Sequence, residues 1–269
     1  IFKDGEFLSN RGGTNGGAIY NTGSLTLTGT DFFFNKAEGL GGAIYSTKDV
    51  TINAENVALE FTGNVDSSGN NDIYMAGTAE TPITLALNSK TTDHMILIND
   101  GINGTYYNTV INGAEDNEGE ILVHGNINTD ALTVSAGILV NNGDLTVKSG
   151  TNNGTIRGAG NFILNDSGAA SPLVFNNNNR LTQRSLTITS GKFVTDTNNL
   201  YLISENDIDD DDFEIVDDIV NDGTLTFNNT ANGIIAKNIK GSTASSNGIV
   251  EVAVQDGVAI SLNGKSITN

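Results

Sequence analysis

The chain has 269 residues, including 32 glycines, 2 prolines and no cysteine, and 32 acidic against 13 basic side chains give a net charge of −19. These numbers exclude disulfides and thiolate metal sites, exclude collagen, and argue against nucleic acid as a partner, which requires a basic surface. A hydrophobic content of 37% is too high for a disordered chain. We therefore expect a folded protein that its negative charge keeps soluble.

Two short motifs repeat in phase over the first 75 residues. Gly-Gly-Ala-Ile-Tyr occupies residues 16–20 and 41–45, and a diverged copy, Asn-Asn-Asp-Ile-Tyr, occupies residues 70–74. Phe-x-x-Asn begins nine residues before each copy, at residues 7, 32 and 61. The residues that carry the two motifs are Gly16, Gly17, Ala18 and Ile19; Gly41, Gly42, Ala43 and Ile44; Phe7 with Asn10, Phe32 with Asn35, and Phe61 with Asn64.

Each repeat unit divides into three short strand-like segments separated by turns. Residues 24–28 alternate polar and apolar side chains, which is typical of a half-buried strand. Three strands and three turns in about 25 residues predict one coil of a three-sided parallel β-helix. We expect Ile19 and Ile44 to stack inside the coil, with Leu25 and Leu27 on the next face.

The conserved spacing also predicts structural roles for the other motif residues. Paired glycines permit tight corners or close approach between coils. The asparagine of Phe-x-x-Asn is expected at a corner, where it would hydrogen-bond its own backbone and stack in a ladder with its copies. The phenylalanine would fill the core.

Beyond residue 87 the motifs fade, but the alternation of short strands and turns persists. The pattern x-Leu-Thr-apolar recurs at residues 24–27, 131–134, 144–147, 185–188 and 224–227, separated by many Asn-Gly and Asp-Gly turns. No segment of ten or more residues has a helical period free of glycine.

We predict an all-β chain that forms one continuous right-handed, single-stranded parallel β-helix over residues 1–269, with about 10–12 coils. Regular coils would occupy residues 1–87. Irregular coils of roughly 18–30 residues would occupy residues 88–269, with interruptions near residues 93–107 and a loop near residues 205–212. At ~4.8 Å per coil the rod would be about 50–60 Å long.

At residues 16–20, 41–45, 32–35 and 61–64 the sequence resembles the polymorphic outer membrane proteins, best known in chlamydiae, and related autotransporter adhesins. Their passenger regions repeat the same motifs on right-handed parallel β-helices. The resemblance covers about residues 5–75. It implies export through an outer-membrane barrel outside this chain, an extracellular position on the bacterial outer-membrane surface, and adhesion to a receptor or glycan on host cells or bacteria. We expect this chain to be an internal piece of such a protein.

A carbohydrate-active β-helix enzyme (a polysaccharide hydrolase or lyase) or a tailspike-like glycan-binding protein is the alternative. Such hydrolases use Asn-x-Asp, Asp-Asp, Gly-His-Gly and Arg-x-Lys motifs on successive coils. Residues 64–66 and 142–144 match only the first form, and His94 and His124 lack the flanking pattern. We therefore expect no catalytic residue. Two or three carboxylates on adjacent coils beside an aromatic platform would favour the enzyme; ladders of Thr, Asn and Ser would favour the adhesin.

Calcium is the one cofactor that the sequence suggests. Residues 205–218 are strongly acidic, and hard cations prefer carboxylate oxygens. The weak candidate ligands are Asp209, Asp210, Asp211 and Asp212. The spacing fits neither an EF-hand nor a calcium-binding nonapeptide, so we expect no cofactor and a solvated loop. Thermal melting in chelator against millimolar calcium tests this, because a calcium site would raise the melting temperature. The sequence leaves the oligomeric state open.

Overall fold

The computed structural model describes residues 1–167, 172–202, 218–235, 238–261 and 266–268. Within these residues the chain is nearly all β-strand, with one 3-10 turn at Thr197–Asn199 and no α-helix. This confirms the predicted all-β class. The predicted loop near residues 205–212 lies outside the described residues.

The strands are short and follow one another at close intervals. Those of the first half are β1 (Phe2–Leu8), β2 (Arg11–Gly12), β3 (Ile19–Asn21), β4 (Leu25–Phe33), β5 (Lys36–Ala37), β6 (Ile44–Ser46), β7 (Val50–Ala54), β8 (Leu59–Thr62), β9 (Val65–Asp66), β10 (Gly69–Asn70), β11 (Ile73–Ala76), β12 (Ile83–Ser89), β13 (Ile96–Ile98), β14 (Ile102–Thr105), β15 (Tyr107–Ile111) and β16 (Glu120–Val123). Those of the second half are β17 (Ile127–Val134), β18 (Ile138–Asn141), β19 (Asp144–Asn152), β20 (Thr155–Arg157), β21 (Asn161–Leu164), β22 (Val174–Asn177), β23 (Leu181–Gln183), β24 (Ser185–Ile188), β25 (Lys192–Thr195), β26 (Leu200–Leu202), β27 (Ile219–Asn221), β28 (Thr224–Phe227), β29 (Gly233–Ile234), β30 (Ile239–Lys240), β31 (Ile249–Val252), β32 (Ile260–Ser261) and β33 (Ile267–Thr268).

Nearly all of these strands stack in parallel on three faces of a solenoid. On the first face, which begins with β3, each strand pairs with the equivalent strand one coil later. Its inward column is Ile19, Ile44, Ile73, Ile102, Ile127, Leu145, Phe162, Leu186, Ile219, Ile239 and Ile267. Eleven rungs confirm the predicted parallel β-helix of about 10–12 coils. The right-handed sense remains a prediction, which rests on the general handedness of parallel crossover connections.

The other two faces carry their own inward columns. The second face begins with the start of β1, which pairs with β4 at Leu27, and its inward column includes Leu27, Ile52, Leu87, Ile111 and Val134. The third face includes Leu59, Ile96, Ile121, Leu139 and Ile156. All ten of these side chains are at most 1% exposed. Because successive side chains of a strand alternate between inside and outside, one residue in two forms the core.

Coil length varies more than the sequence predicts. The first-face rungs are 25 residues apart between Ile19 and Ile44 but 17 apart between Leu145 and Phe162. The interval from Leu186 to Ile219 is 33 residues. The predicted range of roughly 18–30 is therefore too narrow, because turns between faces absorb insertions and deletions without disturbing the strand pairing.

The predicted interruption near residues 93–107 is wrong. Strand β13 pairs in parallel with β8 on one side and β16 on the other. Ile96 and Ile98 are fully buried. The glycines that suggested an interruption lie at Gly101 and Gly104, beside and within β14, where neighbouring backbone comes close. The solenoid thus passes through this segment without a break.

Candidate functional site

The asparagines of Phe-x-x-Asn form a hydrogen-bonded ladder between coils. Asn35 Oδ1 accepts hydrogen bonds from the backbone and side-chain N–H of Asn10, both at 2.9 Å. Asn64 Oδ1 accepts the same pair from Asn35 at 3.0 and 2.9 Å. The side chain of Asn35 also donates to the carbonyl of Phe7, and that of Asn64 to the carbonyl of Phe32. The bonds join neighbouring coils, so the predicted bond to the residue's own backbone is replaced by one to the previous coil.

The phenylalanines of the same motif form a second column, inside the coil. The rings of Phe7 and Phe32 stack with centroids 4.9 Å apart, and those of Phe32 and Phe61 with centroids 4.6 Å apart. Phe32 and Phe61 are fully buried. In Phe-x-x-Asn the ring therefore fills the core while the asparagine ties the corner, which gives both residues an architectural role.

The two glycines of Gly-Gly-Ala-Ile-Tyr have different roles. Gly16 and Gly41 turn the corner at positive φ, 70° and 72°. Gly17 and Gly42 lie where coils touch, since a Cβ on Gly17 would come 2.0 Å from the Gly42 carbonyl oxygen. Ala18 and Ala43 follow, and the carbonyl of Ala43 accepts the backbone N–H groups of Ala18 and Ile19. The motif thus brings successive coils into close backbone contact.

In the third copy a buried carboxylate replaces the alanine. Asp72 takes the position of Ala43 and is fully buried. Its Oδ1 accepts from Asn64 Nδ2 at 2.6 Å and its Oδ2 accepts from the backbone N–H of Asp100 at 2.9 Å. Asp100 Oδ2 in turn accepts from the backbone N–H of Asn64 at 3.0 Å, so Asp100 continues the asparagine ladder.

Burial raises the pKa of Asp72 to about 8, and the nearby Asp100 charge adds to this although the Asn64 hydrogen bond opposes it. Asp72 is therefore largely protonated at neutral pH. A neighbouring carboxylate, Asp66, is also buried, and its oxygens accept from Gly41 N, Asn71 Nδ2 and Ser68. Asp66 is the acid of the Asn-x-Asp match at residues 64–66, and its oxygens are engaged in holding the corner.

The tyrosines of the same motif form an exposed ladder on the outside of the first face. The rings of Tyr20 and Tyr45 stack with centroids 5.3 Å apart at 9°, and those of Tyr45 and Tyr74 with centroids 5.7 Å apart at 2°. Tyr20 is 56% exposed and the other two are half-buried. Burial and the two flanking tyrosines raise the pKa of Tyr45. This tyrosine ladder presents a ridge of ring edges and hydroxyls to solvent.

The outside of the third face carries a column of acids on the same three coils. Glu6, Asp31 and Glu60 occupy equivalent positions, and Asp31 Oδ1 accepts the backbone N–H of Glu60 at 2.8 Å. Burial raises the pKa of Asp31. Beside this acidic column lies the half-buried ring of Phe33, which pairs in register with Thr62. This surface therefore combines three carboxylates on successive coils with one half-buried aromatic ring.

The remaining predicted candidates do not come together. The His94 ring bonds Thr91 and the His124 ring bonds Asn142, two separate surface positions. In the described part of the chain no group of three or more His, Asp or Glu side chains is arranged to hold a metal ion. Asp209, Asp210, Asp211 and Asp212 lie outside the described residues, so the expectation of a solvated loop without calcium stays a prediction.

Sequence reasoning missed the outward-facing groups of the repeat. Tyr20, Tyr45 and Tyr74 belong to the repeated pentapeptide, and the period of that motif is the signal from which their stacking could have been predicted. The acidic column has a similar signal, because Glu6, Asp31 and Glu60 each directly precede the phenylalanine of Phe-x-x-Asn. The contact of Asp72 with Asp100 has no such signal, since Asp100 belongs to no recognisable motif.

Comparison with known proteins identifies no relative: no family model, no curated protein and no solved structure matches the chain. Among the described residues, no helix has the length and apolar character that crossing a membrane requires.

Proposed function

We propose that this chain is an adhesive, non-catalytic rod of the bacterial outer surface. It is a piece of a passenger region like those of the autotransporter adhesins and polymorphic outer membrane proteins that its repeats resemble. It reaches the surface through an outer-membrane barrel outside this chain. It binds a receptor or a glycan on host cells or on neighbouring bacteria.

The observation that carries the proposal is the tyrosine ladder on a rigid scaffold. Tyr20, Tyr45 and Tyr74 are held in parallel by backbone pairing of successive coils, so little conformational entropy remains to be lost on binding. Tyrosine combines a large apolar ring with a hydroxyl and is enriched in protein interfaces. An ordered row of such side chains on an exposed sheet supports recognition of another surface.

The way the coils use their polar groups supports the same proposal. Asn35, Asn64, Asp66 and Asp72 have their side-chain oxygens committed to bonds between or within coils. Polar side chains that are engaged in holding coils together are typical of a structural element rather than a catalytic pocket. The net charge of −19 keeps such an edge-rich rod soluble.

Adhesion of coated beads to cells tests the proposal. Beads carrying the purified chain are expected to bind to at least one member of a panel of epithelial and bacterial cells. Replacing Tyr20, Tyr45 and Tyr74 together by threonine, which suits a strand, should reduce bound beads at least tenfold. Tyr106→Asn, which removes another exposed tyrosine at a position of positive φ that asparagine tolerates, is the control and should bind as the unmodified chain does. Absence of adhesion across the panel would contradict the proposal.

A carbohydrate-active enzyme is the second candidate, and the acidic column favours it. Glycoside hydrolysis uses two carboxylates that flank the sugar bond, and the column places three on adjacent coils. Release of reducing sugar from a polysaccharide panel tests this candidate, with Asp31→Asn expected to abolish it. Asp49→Asn is the matched control, because Asp49 also accepts one backbone N–H from the next coil, that of Thr84. Release of sugar would overturn the non-catalytic part of our proposal.

A further inference from the structure

A small cleft opens at the corner between the third and first faces. Strands β2 and β5 pair there in parallel, with Arg11 opposite Lys36. The cleft has a volume of about 270 Å³ and is lined by Arg11, Gly12, Gly13, Lys36 and Glu38. It lies between the first two coils of the regular repeat and uses none of the residues assigned above to adhesion.

Two basic side chains without an ion pair in the described part of the chain lie at this cleft. Ion pairs elsewhere engage basic residues such as Lys148 with Asp130 and Arg157 with Glu120. Within the described residues, neither Arg11 nor Lys36 has an ion pair, and both are exposed. Like charges directly opposite on neighbouring strands repel each other, so this pair is unfavourable unless an anion lies between them.

Hydrogen bonds within the protein hold the backbone around the cleft in place. Gly39 N donates to the Thr14 carbonyl and Leu40 N donates to Asn15 Oδ1 at 2.9 Å, which ties the two corner loops together. A Cβ on Gly12 would lie 2.3 Å from the Gly16 carbonyl oxygen, so this tight path requires glycine. The backbone N–H of Gly13 has no partner among the described residues and is available to a ligand. A preorganised site loses less free energy on binding than one that must be ordered.

We propose that the Arg11/Lys36 cleft binds the carboxylate or sulfate group of an acidic saccharide. This inference rests on the proposed adhesive function and names the ligand chemistry. The guanidinium of Arg11 matches a carboxylate or sulfate with two parallel hydrogen bonds, and the Lys36 ammonium adds a point charge. Glu38 accepts hydrogen bonds from sugar hydroxyls. The volume is slightly below the range of drug-sized pockets, about 300–1,000 Å³, and suits a sugar ring or two.

The charge of the whole chain selects among anions. At physiological salt the net charge of −19 is largely screened beyond about 8–10 Å, so it repels mainly a dense polyanion that lies along the surface of the protein. Glu38 also disfavours a multiply charged phosphate. A short saccharide with one charge on each ring avoids both penalties.

Calorimetric titration with a uronic-acid disaccharide tests the inference. A sulfated disaccharide, the methyl ester of the uronic acid and inorganic sulfate are titrated alongside it. The acid or the sulfated sugar is expected to bind at least tenfold more tightly than the neutral ester and than inorganic sulfate. Arg11→Gln and Lys36→Gln should each weaken that binding at least tenfold. Lys48→Gln and Lys90→Gln, which change the net charge equally at exposed sites elsewhere, should leave it unchanged.

Equal binding of acid and ester, or of saccharide and inorganic sulfate, would overturn the inference, as would binding that survives both substitutions in the cleft. Bead adhesion separates this failure from failure of the proposed function. Adhesion without saccharide binding would refute the saccharide site but not the adhesive function. Saccharide binding without any adhesion would support the saccharide site and refute the adhesive function.

Discussion

A single asparagine position links three coils through its side chain alone. Asn35 is fully buried, and its amide accepts from Asn10 while donating to Phe7 and Asn64. The side chain of Asn35 therefore hydrogen-bonds backbone groups at a corner, where strand pairing does not provide them with partners. A buried polar group with every bond made stabilises the fold, and its removal leaves the partners unsatisfied.

We expect Asn35→Ala to lower the free energy of unfolding by about 2–4 kcal/mol, because several buried hydrogen bonds are lost together. Asn10→Ala is the matched control, since Asn10 is the exposed first member of the ladder and its side chain donates one hydrogen bond, to Asn35. Its cost should be about 1 kcal/mol or less. Urea unfolding followed by circular dichroism measures both. Equal losses of unfolding free energy in the two variants would show that the buried part of the ladder stabilises the fold no more than its exposed end does.

The buried Asp72 predicts an unusual pH dependence of stability. Its pKa is 3.8 in an ordinary environment and about 8 in the fold. Between these values the folded state holds a proton that the unfolded state has lost. Stability should therefore fall as pH rises from about 4 to about 8, by up to about 1.4 kcal/mol per pH unit from this group.

Asp72→Asn should flatten that slope, because asparagine does not titrate. The comparison is the difference in urea midpoint between pH 5 and pH 8, measured for the unmodified chain and the variant. Carboxylates that do not contact residue 72 contribute equally to both proteins, so the difference between the two slopes reports on Asp72 and its contact with Asp100. Parallel slopes in the two proteins would contradict the raised pKa.

At the scale of the element, close packing of corners decides which residues are tolerated. A Cβ on Gly42 would lie 2.5 Å from Val65 N and 2.6 Å from the Asn71 carbonyl oxygen, both of which belong to backbone. Backbone cannot move aside without breaking the strand pairing of β5 with β9. The Gly-Gly pair therefore sets the distance between coils.

We expect Gly42→Ala to destabilise the fold by about 1–3 kcal/mol through this overpacking. Gly23→Ala is the control, because a Cβ there would meet nothing within 4 Å. By restricting the unfolded chain it should be neutral or stabilise by about 0.4–1 kcal/mol. Thermal melting of both variants gives the comparison. A harmless Gly42→Ala would mean that the coils separate more easily than the contacts indicate.

At the scale of the whole molecule, each coil depends mainly on its neighbours. Within the described residues, the strand pairings from Ile19 to Ile267 join successive coils only, and ion pairs such as Lys192 with Glu251 reach two coils along. Removing a coil from the end should therefore remove the stability contributed by that coil and by its one interface with the neighbouring coil. Exposed side chains such as Val252, Ile249 and Ile267 already mark the C-terminal end as loosely covered.

We expect a chain ending at residue 235 to keep amide protection in β6 and β11 unchanged, because these strands lie many coils away. Deleting residues 102–111 should instead lower protection in the neighbouring strands, since part of a coil is lost and the faces fall out of register. Native-state hydrogen exchange measures both proteins. Loss of protection in β6 after the terminal truncation would show that the rod unfolds as one cooperative unit.

The sequence alone determined the architecture of the first three coils. Identical motifs must stack in register, so Ile19 on Ile44 and Phe32 on Phe61 follow from the period itself. The alternation of strand residues likewise separates inside from outside. Coil boundaries beyond residue 87 could not be derived, because the turns vary in length while the strands resemble one another.

Only the tertiary structure decided which groups from different coils meet. It brought Asp72 to Asp100, and it directed the asparagine bonds to the neighbouring coil. It also showed that Tyr20, Tyr45 and Tyr74, which the repeat period aligns, stack as one ladder on the outside of the coil. The physical reason is that contacts between coils depend on the length of each intervening turn, which local sequence preferences do not encode. The repeat period predicts which core side chains stack, and the lengths of the turns determine which polar groups of different coils meet.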